Sequence, residues 1–303
     1  MHNNNYPLFL TSIPPKEIEK HKKTISSWKM FTSQIISLNR ASEIEILEPF
    51  FPNVLFFKID EKSSIHSKLI DINHFINFIK NNPNKYFAII NADIEFGQYP
   101  LQDWNKILYY LNYYDLIISN RKNYEYSYHD SELYYYGFDF FLFKKDLVNI
   151  IPYNEFALGT VVWDYLFPVF TIFNNHKLLY LTELPIYHKK HKDNWVLNDL
   201  IIYNYYFYNL LKKHFNLPNQ IELFHYIINQ TIFKTDYFVF KLFNAFYLKT
   251  IYANCNFISH NTSNILAYIN NKLNESLLIG TQIDNRLLQD TINFLINIDI
   301  IKW

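Results

Sequence analysis

Residues 86–96 read YFAIINADIEF, five apolar residues followed by a stretch that carries two carboxylates. Tyr86–Ile90 is too continuously apolar for a half-exposed strand, so it predicts a central parallel strand covered on both faces. Asp93 follows this strand, with Asn91 and Glu95 two residues away on either side. Side chains two apart in an extended chain point the same way, so all three are expected on one side. Such oxygen ligands suit Mg²⁺ or Mn²⁺; the alternative is a strand end with a solvated acidic turn.

Segments with strand-like and helix-like patterns alternate on both sides of this stretch. Further strands are predicted at residues 7–13, 34–38, 54–59, 115–119, 134–143 and 178–181, and helices at 16–31, 64–80 and 101–111. Repeated units of this length predict an α/β domain with a mixed, mostly parallel sheet flanked by helices. In open sheets of this class, ligands bind at the carboxyl ends of the strands. The polar residues at those ends are therefore the first candidates for a site.

The composition excludes several classes of protein. Half of the 303 residues are hydrophobic and 18% are charged, so the chain can bury a large core and is not expected to be disordered. Lys+Arg and Asp+Glu are 28 each, and zero net charge argues against nucleic acid as a partner. Only four glycines occur, without GxGxxG or GxxxxGK(S/T), which excludes a glycine-rich phosphate loop. The single Cys255 excludes an intramolecular disulfide and a cysteine-based zinc site.

The sequence pattern changes near residue 198. Beyond it, segments such as 199–215 and 221–252 are long, aromatic and mostly helical in spacing, which predicts an α/β domain at 1–198 and a helical C-terminal region at 199–303. Neither a signal peptide nor a membrane-spanning run is predicted, so a cytoplasmic location is expected. Aromatic–basic stretches at 203–215 and 233–247 suggest peripheral membrane contact. The alternative is that this region packs on the α/β domain or on a second copy of the chain.

A second candidate stretch is LPIYHKKHKDNW at residues 184–195. His188 and His191 are three residues apart, a spacing that suits a shared ligand on a helical turn. Either imidazole would complete a metal site, and an imidazole ligand fits Mn²⁺ better than Mg²⁺. The lysines around them would face phosphates. The alternative is a solvated basic loop.

Two further carboxylates stand in apolar surroundings. Asp139 lies inside YGFDFFLF at 136–143. A carboxylate buried there needs a partner, so it is either an acceptor for backbone N–H groups or part of a substrate pocket. Asp164 follows Trp163 in LGTVVWDYL at 158–166. The Trp163 ring would stack on a sugar, and the Asp164 carboxylate would take a proton from a sugar hydroxyl, an arrangement that suits carbohydrate chemistry. The alternative is a helix start with a buried Trp163.

In their order along the chain, these pieces resemble a GT-A-type glycosyltransferase. The resemblance runs through TSIPP at 11–15, SW at 27–28, SLN at 37–39, INADIEF at 90–96, YGFDFFLF at 136–143, LGTVVWDYLFP at 158–168 and HKKHKDNW at 188–195. Proteins of this kind use a nucleotide-diphosphate sugar donor and usually a divalent metal. The resemblance therefore implies transfer of a sugar from such a donor, a UDP-sugar foremost, to a glycan or other hydroxyl acceptor.

The resemblance also implies roles for the residues on the metal and donor side. Asp93 would stand at the last carboxylate of a DxD motif and bind Mn²⁺ or Mg²⁺ and the diphosphate, while Asn91 replaces the first acidic residue. His188 or His191 would complete the metal site. The nucleotide and donor pocket would be lined by Thr11, Ser12, Asn39, Arg40, Asp60, Asn91 and Ala92.

On the acceptor side, the resemblance places Asp139, Trp163 and Asp164 facing the donor sugar and the acceptor, with Phe138 beside them. Asp139 and Asp164 are the candidate catalytic residues. If the reaction inverts the anomeric centre, Asp164 is the preferred general base for the acceptor hydroxyl. If the reaction retains it, Asp164 would only hold a sugar hydroxyl.

Two other functions are alternatives at this point. Nucleotidyltransferases also use an α/β nucleotide domain, but they normally carry a glycine-rich loop with Arg or Lys after the first strand. Residues 11–15 of this chain contain no glycine, which counts against that class. A non-catalytic module that binds carbohydrate or lipid through aromatic surfaces is the other alternative.

Overall fold

The computed structural model describes residues 6–181, 184–191 and 197–215, together with a few residues between 247 and 271. The chain divides into two compact units, residues 1–193 and 194–303. No helix among the residues described is long and apolar enough to cross a membrane.

The first unit is an α/β domain. Its strands are β1 (Leu8–Thr11), β2 (Gln34–Asn39), β3 (Val54–Lys58), β4 (Tyr86–Ile90), β5 (Ile94–Phe96), β6 (Leu116–Ser119), β7 (Lys122–Tyr124), β8 (Glu132–Leu133), β9 (Phe140–Lys144), β10 (Leu178–Tyr180) and β11 (Ile186–Lys189). Its helices are α1 (Ile18–Ser27), α2 (Ala41–Leu47), α3 (Ile72–Asn81), α4 (Leu101–Tyr110) and α5 (Trp163–Phe173). Seven strands form the main sheet in the order β10-β6-β9-β4-β1-β2-β3, and the helices flank it.

The central position predicted for the 86–90 strand is confirmed. All five residues of β4 are buried. β4 pairs in parallel with β1, where Leu10 lies opposite Ile89, and antiparallel with β9, where Ile90 lies opposite Phe140. β9 is the one antiparallel strand of these seven, so the predicted class, a mixed and mostly parallel sheet between helices, is also confirmed.

A smaller sheet with the order β5-β11-β7-β8 lies beyond the carboxyl end of β4. A turn at Ala92 and Asp93 connects β4 directly to β5. In this small sheet His188 of β11 lies opposite Ile94 of β5 on one side and Asn123 of β7 on the other. The strand pairing thus brings a histidine from late in the chain next to the turn that carries Asp93.

Helix α1 covers the open edge of β5. The Trp28 indole Nε1–H donates to the Ile94 carbonyl at 2.7 Å, and the Phe96 N–H donates to Ser27 Oγ at 2.9 Å. The Trp28 ring also joins a core of Phe and Trp rings, among them Phe9 at 6.1 Å between centroids. Part of the aromatic excess of the sequence is therefore core packing against the strand that leads out of the candidate site.

Two predicted elements begin several residues later than expected. The helix predicted at 64–80 begins only at Ile72, and Ile65 and Leu69 are 46% and 38% exposed rather than inward-facing. The cause is Asp71, whose carboxylate accepts the Ile65 N–H and the His66 imidazole and so holds these residues in a loop. The strand predicted at 134–143 begins only at Phe140, so residues 134–139 form a loop before β9.

In the second unit the described residues include helix α6 (Leu197–His214) and a short strand, Asn256–Phe257. α6 agrees with the helical pattern at 199–215. Residues 221–246 of the predicted segment 221–252, and 233–246 of the aromatic–basic stretch 233–247, lie outside the described residues. The membrane contact suggested by these stretches therefore stays a hypothesis.

Candidate active site

Three side chains from two distant parts of the sequence converge beyond β4. Asp93 Oδ2 lies 3.2 Å from His188 Nε2 and 3.4 Å from His191 Nε2, and the two Nε2 atoms are 3.0 Å apart. These residues are called the metal cluster below, because all three ligand atoms lie within 4.8 Å of one another. Two imidazole nitrogens and a carboxylate oxygen form a donor set that fits a divalent transition metal. Among the described residues this is the one such group of three.

The backbone explains why these residues meet. Asp93 lies in the turn after β4, closed by the Ile94 N–H donating to the Asn91 carbonyl at 3.1 Å. His188 is on β11, opposite Ile94, and is buried. His191 follows two residues after β11 ends. The expected helical turn between the two histidines is therefore wrong: they converge at the end of a strand, where the chain turns toward Asp93.

A hydrogen-bond chain fixes the orientation of the His188 ring. Arg121 Nε–H donates to Asn123 Oδ1 at 2.9 Å, and because arginine can only donate, the receiving atom must be the amide oxygen. The same oxygen lies 3.2 Å from His188 Nδ1, so Nδ1 carries a hydrogen. His188 Nε2 is thus the nitrogen that faces Asp93. It carries a proton when the imidazole is charged and presents a lone pair to a cation when neutral.

Asn123→Ala is expected to weaken Mn²⁺ binding by about 10- to 100-fold, because removal of an outer partner frees the ring of a ligand histidine. Isothermal titration of Mn²⁺ would measure this change. Asn81→Ala is a matched control, since Asn81 is an exposed residue whose amide donates to the Asn77 carbonyl within α3. Equal Mn²⁺ affinity of Asn123→Ala and wild type would show that Asn123 does not orient His188.

The neighbours of Asp93 keep its carboxylate ionised. Burial alone would raise the pKa of Asp93, but hydrogen bonds with His188 and His191 and the charge of Lys20 hold that pKa well below its ordinary value. His21 supports the turn from α1, because its Nδ1–H donates to the Ala92 carbonyl at 3.0 Å. Burial lowers the pKa of His21, so this imidazole is neutral at physiological pH. Asp93 is therefore an ionised carboxylate on a turn that His21 supports.

Glu95 does not join the metal cluster. Its buried carboxylate accepts hydrogen bonds from Tyr124 and Tyr128 and pairs with Lys23 at 2.8 Å. Burial would raise the pKa of Glu95, but these three partners lower it. The expectation that the side chains of Asn91, Asp93 and Glu95 point to the same side of the chain is wrong. It assumed an extended chain from 91 to 95, but residues 92–93 form a turn.

Asp139 is a buried carboxylate that is linked to the metal cluster through Arg121. Arg121 Nη1 donates to Asp139 Oδ1 at 2.7 Å, and Asn91 Nδ2 donates to the same oxygen at 3.2 Å. Asp139 Oδ2 is buried and has no hydrogen-bond partner among the described residues. A buried unpartnered carboxylate oxygen is costly, so this atom is a strong candidate acceptor for a substrate hydroxyl.

Asp164 lies in the first turn of α5, against the loop that precedes β9. Its Oδ2 accepts the Phe138 N–H at 2.9 Å. Burial raises the pKa of Asp164 to about 7, and the negative charge of Asp139 adds to the rise. Such a carboxyl group changes protonation near neutral pH, which suits a general base.

Gly137 makes room for that carboxylate, since a Cβ at this position would lie 2.3 Å from Asp164 Oδ2. Gly137→Ala is therefore expected to displace Asp164, to lose most of the turnover and to destabilise the fold by about 1–3 kcal/mol. Mn²⁺ binding should be unchanged. Urea unfolding and steady-state kinetics would measure both effects, and Gly137→Ala/Asp164→Ala should recover stability because it removes the clash. Full turnover by Gly137→Ala would contradict this role.

The proposed donor-side residues are distributed along the carboxyl ends of the strands. Thr11 ends β1 and is buried, with Oγ1 unpartnered among the described residues, and Ser12 follows it. Asn39 ends β2 and donates to the Ile13 carbonyl at 2.9 Å. Arg40 donates to the His66 carbonyl at 2.7 Å. Asn39 and Arg40 therefore hold neighbouring loops in place.

The other two donor-side candidates also make contacts within the protein. Asp60 is exposed and accepts the Lys62 N–H at 3.1 Å, which caps a short 3₁₀ turn. Ala92 contributes its carbonyl to His21. In this structure, the polar groups of these two residues are used locally.

The two aromatic residues expected to contact the acceptor are in the core. Trp163 is 3% exposed and packs on Phe141 at 5.1 Å between ring centroids. Phe138 is 1% exposed and packs edge-to-face on Tyr180. The structure matches the alternative interpretation of Trp163 as a buried helix start, and neither ring presents a stacking face to solvent.

Sequence reasoning missed Arg121, Asn123 and His21. The first two follow the strand at 115–119, so the rule that polar residues at strand ends deserve inspection, applied there too, would have found them. His21 carries no such signal, because a single histidine in an amphipathic helix has no pattern that separates it from its neighbours.

No family model matches the sequence, and a search of curated proteins finds no match. Among solved structures, the chain is similar to the mannosyltransferase PcManGT from Pyrobaculum calidifontis in complex with GDP-Man and Mn²⁺, at 9% identity and a TM-score of 0.47, covering 98% of this chain and 87% of that one. It is similar to S. aureus TarS 1-349 at 10% identity and a TM-score of 0.46, covering 90% and 88%. A proposed nucleotide-diphospho-sugar transferase from Desulfovibrio desulfuricans G20 has 12% identity and a TM-score of 0.38, covering 66% and 86%. Similarities at this level decide neither activity nor substrate.

Proposed function

We propose that the chain is a metal-dependent glycosyltransferase that moves a sugar from a nucleotide-diphosphate donor to a glycan or other hydroxyl acceptor. The observation that carries the proposal is a chain of hydrogen bonds from the metal cluster to Asp139, whose charge also raises the pKa of Asp164. His188 contacts Asn123, Asn123 contacts Arg121, and Arg121 binds Asp139, whose charge acts on Asp164. A cation site and a candidate base are thus joined at one end of the sheet.

This arrangement fits the charge changes of glycosyl transfer. When the bond between sugar and phosphate breaks, the leaving nucleoside diphosphate gains negative charge. A divalent ion, when bound at the metal cluster, would act as a Lewis acid and template for that diphosphate. Lys20 and Arg121 add positive charge near Asp93. These residues stabilise the leaving group by placing positive charge where the negative charge develops.

The carboxylates are assigned to the two sugars. The unpartnered Oδ2 of Asp139 would accept a hydroxyl of the donor sugar. Asp164 would take the proton from the acceptor hydroxyl in an inverting reaction, since a group with a pKa of about 7 is substantially ionised at neutral pH. Thr11 and Ser12 at the end of β1 would line the nucleotide pocket, and Asn39 and Arg40 would shape it through the loops that they hold.

The catalytic residues in this proposal lie within residues 1–198. The metal cluster, Asp139 and Asp164 belong to the first compact unit. We propose that residues 199–303 form a helical C-terminal region.

The donor set predicts a preference for Mn²⁺ over Mg²⁺. Mg²⁺ prefers oxygen ligands in near-ideal octahedral geometry, whereas two imidazoles suit a transition metal. We therefore expect tighter binding of Mn²⁺ in isothermal titration, and His191→Ala should reduce Mn²⁺ affinity more than Mg²⁺ affinity. His129→Ala, on the loop before β8, is a control expected to change neither. Equal affinities for the two ions would contradict this ligand assignment.

A donor-hydrolysis screen tests the proposed function. UDP-, GDP- and CMP-sugars would be incubated with the full chain and Mn²⁺, and released nucleotide would be measured. We expect release from UDP-sugars or GDP-sugars, and loss of that release in EDTA, whereas release from CMP-sugars alone would contradict a diphosphate donor. Release of pyrophosphate from a nucleoside triphosphate and a sugar phosphate would instead indicate a nucleotidyltransferase, and no turnover with any substrate would favour a binding module.

A further inference from the structure

Helix α1 holds the chain on both sides of Asp93. Four of the five residues at 92–96 make a hydrogen bond or an ion pair with α1 or with Trp28, which directly follows it. These contacts are the His21 Nδ1–H to the Ala92 carbonyl at 3.0 Å, the Trp28 Nε1–H to the Ile94 carbonyl at 2.7 Å, Lys23 Nζ to Glu95 Oε2 at 2.8 Å, and the Phe96 N–H to Ser27 Oγ at 2.9 Å. The residues immediately before and after Asp93 are therefore each held through their carbonyl oxygens.

Helical spacing explains why His21 and Trp28 reach those two carbonyls. The two residues are seven apart, which places their side chains on the same face of the helix. Both are buried, and Ile25 between them is buried on that face as well. The Trp28 ring also packs on the Phe9 ring of β1, at 6.1 Å between centroids. The two donors are therefore held by a helix face that is packed against the core.

The two nitrogens of the His21 ring have different environments. A carbonyl oxygen only accepts hydrogen bonds, so Nδ1 carries the hydrogen and Nε2 is left with a lone pair. Nε2 is buried and has no hydrogen-bond partner among the residues that the structure describes. Because a buried polar atom without a partner is costly, an apolar side chain would suit this position better if packing were its only role. What a histidine adds here is the hydrogen bond to the Ala92 carbonyl.

We propose that His21 is a positioning residue for Asp93 and acts through the Ala92 carbonyl, with Trp28 in the same role at Ile94. This inference rests on the proposed function, because it takes the metal cluster as the cation site. The Ala92 carbonyl belongs to the peptide unit that joins Ala92 to Asp93, so its hydrogen bond fixes the backbone from which the Asp93 side chain projects. A carboxylate that is in place before the cation arrives needs less ordering on binding.

Isothermal titration of Mn²⁺ into the full chain tests this role. His21→Leu removes the donor to the Ala92 carbonyl but keeps an apolar side chain of similar size, and Trp28→Phe removes the donor to the Ile94 carbonyl but keeps an aromatic ring. Each variant is expected to weaken Mn²⁺ binding by about tenfold, the lower end of the effect of an outer partner. Ile25→Val is the matched control, since it loosens the same buried helix face without removing either hydrogen bond. It is expected to lower the urea midpoint and to leave Mn²⁺ affinity unchanged.

His21→Asn separates positioning from stability. The asparagine Nδ2 occupies nearly the place of the histidine Nδ1 and can donate to the Ala92 carbonyl, but the smaller side chain leaves a cavity. We therefore expect His21→Asn to unfold at lower urea than wild type and yet to bind Mn²⁺ nearly as tightly.

Three results would overturn the positioning role and leave the proposed function standing. They are an Mn²⁺ affinity of His21→Leu equal to that of wild type, the same equality for Trp28→Phe, and an affinity of His21→Asn as low as that of His21→Leu. Absence of Mn²⁺ binding by wild type would instead overturn both this role and the metal dependence of the proposed function.

Discussion

Asp93→Ala is expected to reduce Mn²⁺-dependent donor turnover by more than about 100-fold, since loss of a direct ligand should exceed the 10- to 100-fold effect of an outer-shell partner. Asp93 supplies the one carboxylate of the metal cluster, and its pKa is held well below the ordinary value, so it is ionised at assay pH. In the proposed site, the two imidazoles would then lack the anionic ligand that offsets the charge of the metal. Nucleotide release from the donor found in the screen would measure the loss.

The fold should survive this substitution. The Asp93 side chain is 26% exposed, and the turn is closed by backbone and by the His21 contact to Ala92 rather than by the Asp93 carboxylate. Asp103→Ala is a control, because Asp103 pairs with Lys106 on the surface of α4. It is expected to leave turnover unchanged. Wild-type turnover by Asp93→Ala, with a normal melting curve, would contradict the metal assignment.

Asp164→Asn is expected to lower kcat by about 10²- to 10⁴-fold, the usual contribution of general acid–base catalysis, with little change in donor affinity. The amide keeps an oxygen that can accept the Phe138 N–H, so the local structure is retained, but it cannot take a proton. Wild-type kcat should rise with pH through an apparent pKa near 7, and the variant should lack this limb. A loss of nucleotide affinity as large as the loss of rate would show that Asp164 serves the donor instead.

Asp164→Asn is expected to lower the rate but to raise the stability of the fold relative to wild type at neutral pH. The pKa of Asp164 is about 7 in the folded state, against 3.8 for an unperturbed aspartate, so between these values the folded state binds more protons than the unfolded state. The free energy of unfolding of the wild type therefore falls as pH rises from about 4 to 7, by up to about 1.4 kcal/mol for each pH unit. Asp164→Asn lacks this loss, so urea unfolding should show it gaining on wild type as pH rises. Parallel curves would contradict a raised pKa.

The sequence predicted the central strand, and it marked Asp93, His188 and His191 as candidates, because both depend on local signals. Tyr86–Ile90 is a continuous apolar run, and such a run indicates burial on both faces. Asp93 follows directly, and the histidines at 188 and 191 are the kinds of side chain that hold metals. That all three meet follows from the pairing of β5 with β11, which joins residues about 95 positions apart and leaves no trace in a single sequence.

Other features of the structure depend on tertiary contacts, which the spacing of residues in the sequence does not show. Helical spacing placed Ile65 inward, but the Asp71 carboxylate competes for backbone N–H groups and keeps the loop open. Trp163 could not be separated from a ligand-binding aromatic, because the chain is 19% aromatic and many of the rings in its described part are buried in the core. The strand-end rule would have marked Asn123 as a candidate, but its contact with His188 depends on the pairing of β7 with β11, which the sequence pattern does not show.

Thermal unfolding with UDP, GDP or CMP, each with and without Mn²⁺, tests most directly the claim that this site binds a nucleotide through a metal. A ligand at about 100 times its Kd should stabilise the fold by about 2.7 kcal/mol. We expect a stabilising shift with one nucleotide that requires Mn²⁺ and disappears in Asp93→Ala. Absence of an Mn²⁺-dependent shift with every nucleotide, or a shift that persists in full in Asp93→Ala, would contradict it.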